Sequence, residues 1–353
     1  MAEVITGVGS YIPPTKIENS HFLEHQFLNE DGSAIDISND DIIKKFQAIT
    51  GIGERLYAKE GMTASNMASI AAKKAIEDAN IDPETLDYII VAHNFGDIKD
   101  KNTQGDTVPS LAARVKLQLQ IENPNCVGYD LLFGCPGWLE GVIHARAFIK
   151  SGMAKRILVV GTETLSRVVD DHDRDSMIFS DGAGAAIIEY KDGEDEGIIS
   201  HKSATYAMAE ANFINFDKSF NKEQSHPTKY IKMRGRKVYN FALTKVPAAM
   251  KACLDESGYN IKDVKKLFIH QANEKMDQAI CDRFYQLFDV PAPEHVMPMT
   301  IQKLGNSSVA TLPTLLDLVT KKKMENQAIE KGDVVIFASV GAGMNINAVV
   351  YKF

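Results

Sequence analysis

The chain has 353 residues, 44% of them apolar, only four cysteines and a formal net charge of −8. That is enough apolar material for a large core over roughly two domains, which excludes a disordered chain, and the acidic balance argues against a broad nucleic-acid surface. Cys126, Cys135, Cys253 and Cys281 are too few and too scattered for a disulfide framework or a structural zinc site. The opening MAEVITGVGSYIPP lacks a basic stretch followed by a long apolar one, and no later stretch approaches the ~20 apolar residues of a bilayer span. The expectation is a soluble cytoplasmic protein that uses a free thiol, with no metal and no cofactor.

Apolar spacing at three and four residues predicts helices over 64–80, 109–119, 136–151, 235–257, 275–288 and 310–324. Between them, β-branched runs predict strands over 88–92, 157–161, 185–189, 266–270, 334–339 and 346–351. This alternation is the pattern of an α/β architecture. The chain also resembles itself. MASIAAKKAIEDANIDPETLDYIIVAHN (67–94) reads like VPAAMKACLDESGYNIKDVKKLFIHQAN (246–273), and the glycine turn and helix at LFGCPGW are paralleled at KLGNSSV. Two copies of one βα-rich unit explain both similarities, and they divide the chain into halves 1–195 and 196–353. The acidic KDGEDEG at 191–197 reads either as the junction or as a solvated hairpin.

Cys135 follows a glycine turn and precedes Pro136, a favoured first helical residue, so it should cap a helix N-terminus. There the dipole and free amides would lower its thiol pKa below the ordinary ~8.5. His270 ends an apolar strand in KLFIHQAN, and Asn306 stands in KLGNSSVATLP, where asparagine is a good N-cap. Taken singly, these read equally as a core cysteine, a satisfied histidine and a cap. Taken together, they supply a soft nucleophile and two neutral donors for an oxyanion or enolate, as thioester chemistry requires.

These segments, in this order, resemble β-ketoacyl-acyl-carrier-protein synthase III and its relatives. The resemblance runs over most of the chain: ITGVGSYIPP, ITGIGERLYA, the cysteine turn, FSDGAGAAIIE, MRGRKVYNFAL, FIHQAN, LGNSSVATLP and VGAGMNINAVVYKF. It implies a five-layered αβαβα thiolase fold, a homodimer, and acyl transfer from CoA or carrier protein to Cys135. Malonyl-carrier protein would then be decarboxylated beside His270 and Asn306. The resemblance further implies substrate contacts at Gly235, Arg236, Asn273, Gly341 and Gly343, and carrier-protein contacts at Arg234, Lys237 and Lys275. The glycines of FSDGAGAA would let two sheets pack closely.

Three departures from the family pattern point to a specialised substrate. DDIIKKFQAITGI lacks the Trp and Arg that commonly hold the CoA nucleotide; Phe133, Pro136 and Trp138 surround the cysteine where smaller or different residues are usual; and residues 24–41 and 93–110 are extended. They keep open a head-to-head condensation of two acyl thioesters, and a non-catalytic thiolase-fold subunit. A papain-like Cys-His-Asn protease has the right residue order but lacks the CGSCW context and does not explain the α/β repeat.

Overall fold

The computed structural model describes residues 2–99, 104–193, 196–224 and 226–353. Part of the acidic 191–197 segment and of the 93–110 extension therefore lies outside the described residues. In chain order the strands are β1 (Ala2–Tyr11), β2 (Thr15–Glu18), β3 (Glu54–Tyr57), β4 (Tyr88–Ala92), β5 (Val127–Leu131), β6 (Arg156–Thr164), β7 (Asp181–Lys191), β8 (Gly197–Thr205), β9 (Ile214–Lys218), β10 (Lys229–Met233), β11 (Val264–Ile269), β12 (Val334–Gly341) and β13 (Asn345–Lys352). The helices are α1 (Asn39–Thr50), α2 (Ala64–Ala79), α3 (Leu111–Gln118), α4 (Gly137–Lys150), α5 (Gly235–Ser257), α6 (Glu274–Gln286), α7 (Ile301–Leu304) and α8 (Thr311–Thr320). All six expected strands and all six expected helices form.

Two sheets carry the fold, in the orders β1-β7-β6-β4-β5 and β11-β12-β13-β8. In the first, β4 runs parallel to β5 and β6, while β7 is antiparallel to β6 and β1. In the second, β11 and β12 are parallel, and β13 is antiparallel to β12 and β8. Between the sheets lie α4 and α8, whose Trp138, Val142, Leu312 and Leu316 share one core with Ile157, Ile188, Phe337 and Tyr351. The outer faces are covered by α2 and α3 on one side and by α5 and α6 on the other. The result is five layers, αβαβα. Strands covered on both faces read as continuous apolar runs rather than alternating ones, which is why β6, β7 and β12 were plain in the sequence.

The glycines of FSDGAGAA act on a different neighbour than expected. A Cβ on Gly184 would fall 2.7 Å from the Pro313 ring and 2.8 Å from the Thr314 amide. The glycine therefore lets the central helix α8 lie on β7; it does not bring the two sheets together. Trp138 is likewise a core residue: it is 1% exposed, donates to the Val159 carbonyl at 3.3 Å and meets Phe337 edge to face.

Candidate active site

Cys135 stands four residues beyond β5, after Gly134 turns the chain at φ +66°. Pro136, and not Cys135, holds the N-cap position: its carbonyl accepts from the Glu140 amide at 2.9 Å, and α4 begins at Gly137. The cysteine thus lies one residue outside the helix. Its environment also reverses the expected acidity, because burial pushes the thiol up to about 11 and the charge of Glu163 adds to the rise. A bond from the Ser308 hydroxyl, 3.3 Å from Sγ, and the residue's own amide oppose the rise without cancelling it. Desolvation of a charged sulfur outweighs a helix terminus that is one residue away. Gly341 packs directly behind: a Cβ there would sit 2.4 Å from the Cys135 amide nitrogen and 2.9 Å from its Cβ.

His270 follows β11 and is 3% exposed, its amide donating to the Ala338 carbonyl at 2.9 Å. Burial lowers its pKa to about 4, so the ring is neutral over the physiological range. Thr311 Oγ1 lies 2.7 Å from Nδ1 and 3.0 Å from the Ser308 carbonyl. The single hydroxyl proton serves one of these acceptors. Given to the ring, it leaves the imidazole proton on Nε2, a donor; given to the carbonyl, it leaves Nε2 a base.

Asn306 is 6% exposed and pinned through its backbone to the first half of the chain: its amide donates to Ile178 and its carbonyl accepts from Ser180. Its Oδ1 accepts from the Ser308 amide at 2.8 Å. This is an asparagine turn ahead of the short Ser308–Ala310 helix, close to the expected cap. With Oδ1 engaged, Nδ2 is the donor left for a ligand.

The three side chains line one chamber of about 230 Å³, together with Phe95, Leu165, Phe179, Ile214, Phe216 and Ile231. An outer channel of about 450 Å³ shares Met233, Val238, Ala272, Met276 and Asn306 with it and leads to the surface past Ile37, Phe46, Ile49 and Tyr239. Gly235, Arg236 and Asn273 line this channel, Asn273 also capping α6 by accepting from the Met276 amide at 3.0 Å. Val340 and Ala342 face the chamber, whereas Gly341 backs the cysteine and Gly343 lies against the Asn345 side chain. Arg234, Lys237 and Lys275 are exposed and do not line the channel. Phe133 and Trp138 do not line the chamber, so the unusual cysteine context leaves its walls untouched. Ile37, from the extended 24–41 segment, does contribute to the channel wall.

Sequence reasoning missed Lys45 and Arg174, exposed cations at the channel mouth, and Asp175 in its wall. The Asp175 carboxyl is shifted upward by burial and by neighbouring Asp173. It also missed Asn94, Glu163 and Ser308 behind the cysteine. Ser308 was within reach, since it sits in the quoted GNSS. Asn94 was within reach as well, since it closes the quoted 67–94 repeat, whereas Glu163 carries no local pattern of its own. Among the described residues, no cluster of three or more His, Cys, Asp or Glu is placed to hold a metal.

A thiol, a neutral imidazole and a carboxamide in one largely apolar chamber, between two sheets of this topology, define an acyl-transferring condensing enzyme of the thiolase fold. The family model for 3-oxoacyl-[acyl-carrier-protein (ACP)] synthase III matches residues 129–207, and its C-terminal counterpart matches residues 254–353. The β-ketoacyl-[acyl-carrier-protein] synthase III of Ruegeria pomeroyi is 31% identical over 358 residues, spanning 99% of this chain and 98% of that protein. The chain therefore belongs to the β-ketoacyl-acyl-carrier-protein synthase III family. Among solved structures, the 3-oxoacyl-[acyl-carrier-protein] synthase III of Aquifex aeolicus aligns over the whole of both chains, with a TM-score of 0.80 at 28% identity. A Xanthomonas campestris OleA aligns with a TM-score of 0.79 at 17% identity, covering 100% of this chain and 99% of that one, and so shares the fold.

Proposed function

We propose that the protein takes an acyl group from CoA or carrier protein onto Cys135 and condenses it, with loss of carbon dioxide, with malonyl-carrier protein. The observation that supports this most is a chamber holding Cys135, His270 and Asn306 together, which shares five wall residues with a channel that carries cations at its mouth. The thioester arm would enter along Gly235, Arg236 and Asn273. Neutral His270 and the Nδ2 of Asn306 would donate to the enolate as carbon dioxide leaves, and a backbone amide beside Cys135 would receive the thioester oxyanion. Exposed Lys45, Arg174 and Arg236, with Arg234, Lys237 and Lys275 around them, would meet an acidic carrier protein. In this reading the protein works in the cytoplasm as a homodimer, and its two pseudo-equivalent halves divide near residue 195. The edge strand β5, with Val127 47% and the following Leu132 65% exposed, is the surface available for a second copy.

Intact-mass measurement after incubation with acyl-CoAs and acyl-carrier proteins tests the first step. One acyl increment on the wild type and none on Cys135→Ala is the expected result; no increment with any donor on folded protein would overturn it. A second reading is favoured by the apolar lining of the outer channel (Ile37, Ile42, Phe46, Ile49), which suits a second acyl chain and thus a head-to-head condensation. Release of carbon dioxide from malonyl-carrier protein supports the first reading; consumption of two acyl thioesters without it supports the second.

A further inference from the structure

Three residues remote in sequence form a directional hydrogen-bond chain behind Cys135. Glu163 on β6 is 1% exposed, and its Oε1 accepts from both the Asn94 amide, at 2.7 Å, and Asn94 Nδ2, at 2.6 Å. Asn94 Nδ2 also lies 3.2 Å from Ser308 Oγ, which in turn lies 3.3 Å from Cys135 Sγ. The direction follows from donor and acceptor counts. The oxygens of an ionised carboxylate only accept, so with Glu163 ionised Asn94 turns its NH₂ toward it; the second NH₂ hydrogen then meets Ser308 Oγ, which accepts it. The one hydroxyl hydrogen of Ser308 is left for the sulfur. Ser308 also holds Asn306 through its own amide, and it adopts φ +53°, unusual for a residue with a side chain.

We infer that Glu163 is a positioning residue: acting through Asn94, it orients the Ser308 hydroxyl toward the Cys135 sulfur and couples the reactivity of that thiol to its own charge. The two effects oppose each other. The oriented hydroxyl stabilises a thiolate, whereas an ionised Glu163 disfavours a second negative charge beside it. The groups facing Glu163 are His93 beyond β4, itself 2.9 Å from Asp130 Oδ2 on β5, Asp181 on β7, and Cys135. Burial lifts the Glu163 carboxyl to about 7, with His93 and Asn94 pulling it back, so its charge changes near neutrality. Asn94→Ala should leave Ser308 free to turn away, and Glu163→Gln should keep an acceptor oxygen for Asn94 while deleting the charge.

The proposal rests on Cys135 as the reactive thiol, and its test needs no acyl substrate, so a failure of the acyl-transfer reading leaves it separately decidable. The measurement is the rate of Cys135 alkylation by iodoacetamide, followed by peptide mass from pH 6 to 10. Full-length wild type, Glu163→Gln, Asn94→Ala and Ser308→Ala would be compared, each first checked for native circular dichroism. Below its pKa a thiol gains about tenfold in rate per pH unit. The wild type should climb less steeply than this around pH 7, because Glu163 ionises there and holds the thiolate back; Glu163→Gln should climb at the full slope. Asn94→Ala and Ser308→Ala should both react more slowly, their curves displaced upward by about one pH unit. If Asn94→Ala follows the wild-type curve while Ser308→Ala does not, the chain ends at Ser308 and the inference is overturned. Should Asn94→Ala fail to fold, Glu163→Gln decides alone: the full slope supports the inference, and the wild-type slope refutes it.

Discussion

The inner chamber and the outer channel share five residues of wall, yet they are built on opposite principles. In the chamber, His270 is tied to Thr311, Asn306 to the Ser308 amide, and Cys135 to the Ser308 hydroxyl. The channel is a largely apolar passage with one half-buried acid, Asp175, in its wall and its cations, on Lys45, Arg174 and Arg236, exposed at its mouth. Reacting groups need fixed geometry and low dielectric, which requires each buried polar atom to have a partner. A passage for a long, flexible arm needs only shape and a favourable field at its entrance. Changes in the chamber should therefore act on chemistry, and changes at the mouth on encounter.

The sharpest way to break this division is to truncate the chamber donors. His270→Ala and Asn306→Ala should each slow the condensation step roughly 100- to 1,000-fold while Cys135 still becomes acylated, because one enolate donor is lost and the nucleophile is kept. Intact mass with the acyl donor alone, beside carbon dioxide release with both substrates, separates the steps; equal loss of both would erase the distinction. Lowering the pH from 7 to 5 should not weaken His270 as a neutral group, since its pKa of about 4 keeps it unprotonated throughout.

At the mouth, replacing Lys45, Arg174 and Arg236 together by Glu should raise KM for a carrier-protein substrate by about tenfold, with kcat little changed. An uncharged small-molecule thioester should be nearly unaffected, and added salt should narrow the gap between variant and wild type. If the small thioester suffers equally, the channel wall has been deformed and the charges do not act by steering.

The smallest effect concerns helix α6, which starts at the channel. Asp277 is 0% exposed, and neither carboxyl oxygen has a hydrogen-bond partner of good geometry, although the amides of Ala272 and Asn273 lie near. Burial raises its pKa well above the ordinary carboxylate value. A folded-state pKa above the unfolded one means the protonated acid is favoured in the fold. Its contribution to stability is therefore complete at low pH and lost as pH rises toward the folded value. Asp277→Asn, which cannot ionise, should melt higher than the wild type at pH 8 by ~2 °C or more, with the difference shrinking at pH 5. A constant difference across that range would show that Asp277 does not titrate.

The legibility of the fold followed burial. The apolar spacing over 235–257 predicts helix α5 at both ends, and in the structure Gly258 caps it in the left-handed region. Strands β4, β6, β7, β12 and β13 were read because they are buried, apolar and β-branched. The unread elements are of other kinds. β5 is a half-exposed edge strand, β1 carries two glycines, Gly7 and Gly9, that weaken a strand pattern, and β9 and β10 form a small separate sheet with much exposed surface. The last of these matters for the site, because Ile214, Phe216 and Ile231 form much of the apolar wall facing Cys135.

By itself, the sequence determined the α/β alternation and the three side chains that meet in the chamber. Local periodicity and turn chemistry are properties of neighbouring residues, and a specific cysteine, histidine and asparagine context survives in one dimension. The tertiary structure alone decided the acidity of Cys135, the neutrality of His270 and the chain from Glu163 through Asn94 to Ser308. Each of these depends on how much water is excluded and on which atoms arrive from distant strands. Glu163 and Asn94 are 69 positions apart, as Asn94 and Ser308 are 214 apart, and only the packing of α4 and α8 between two sheets brings their hydrogen bonds to one sulfur.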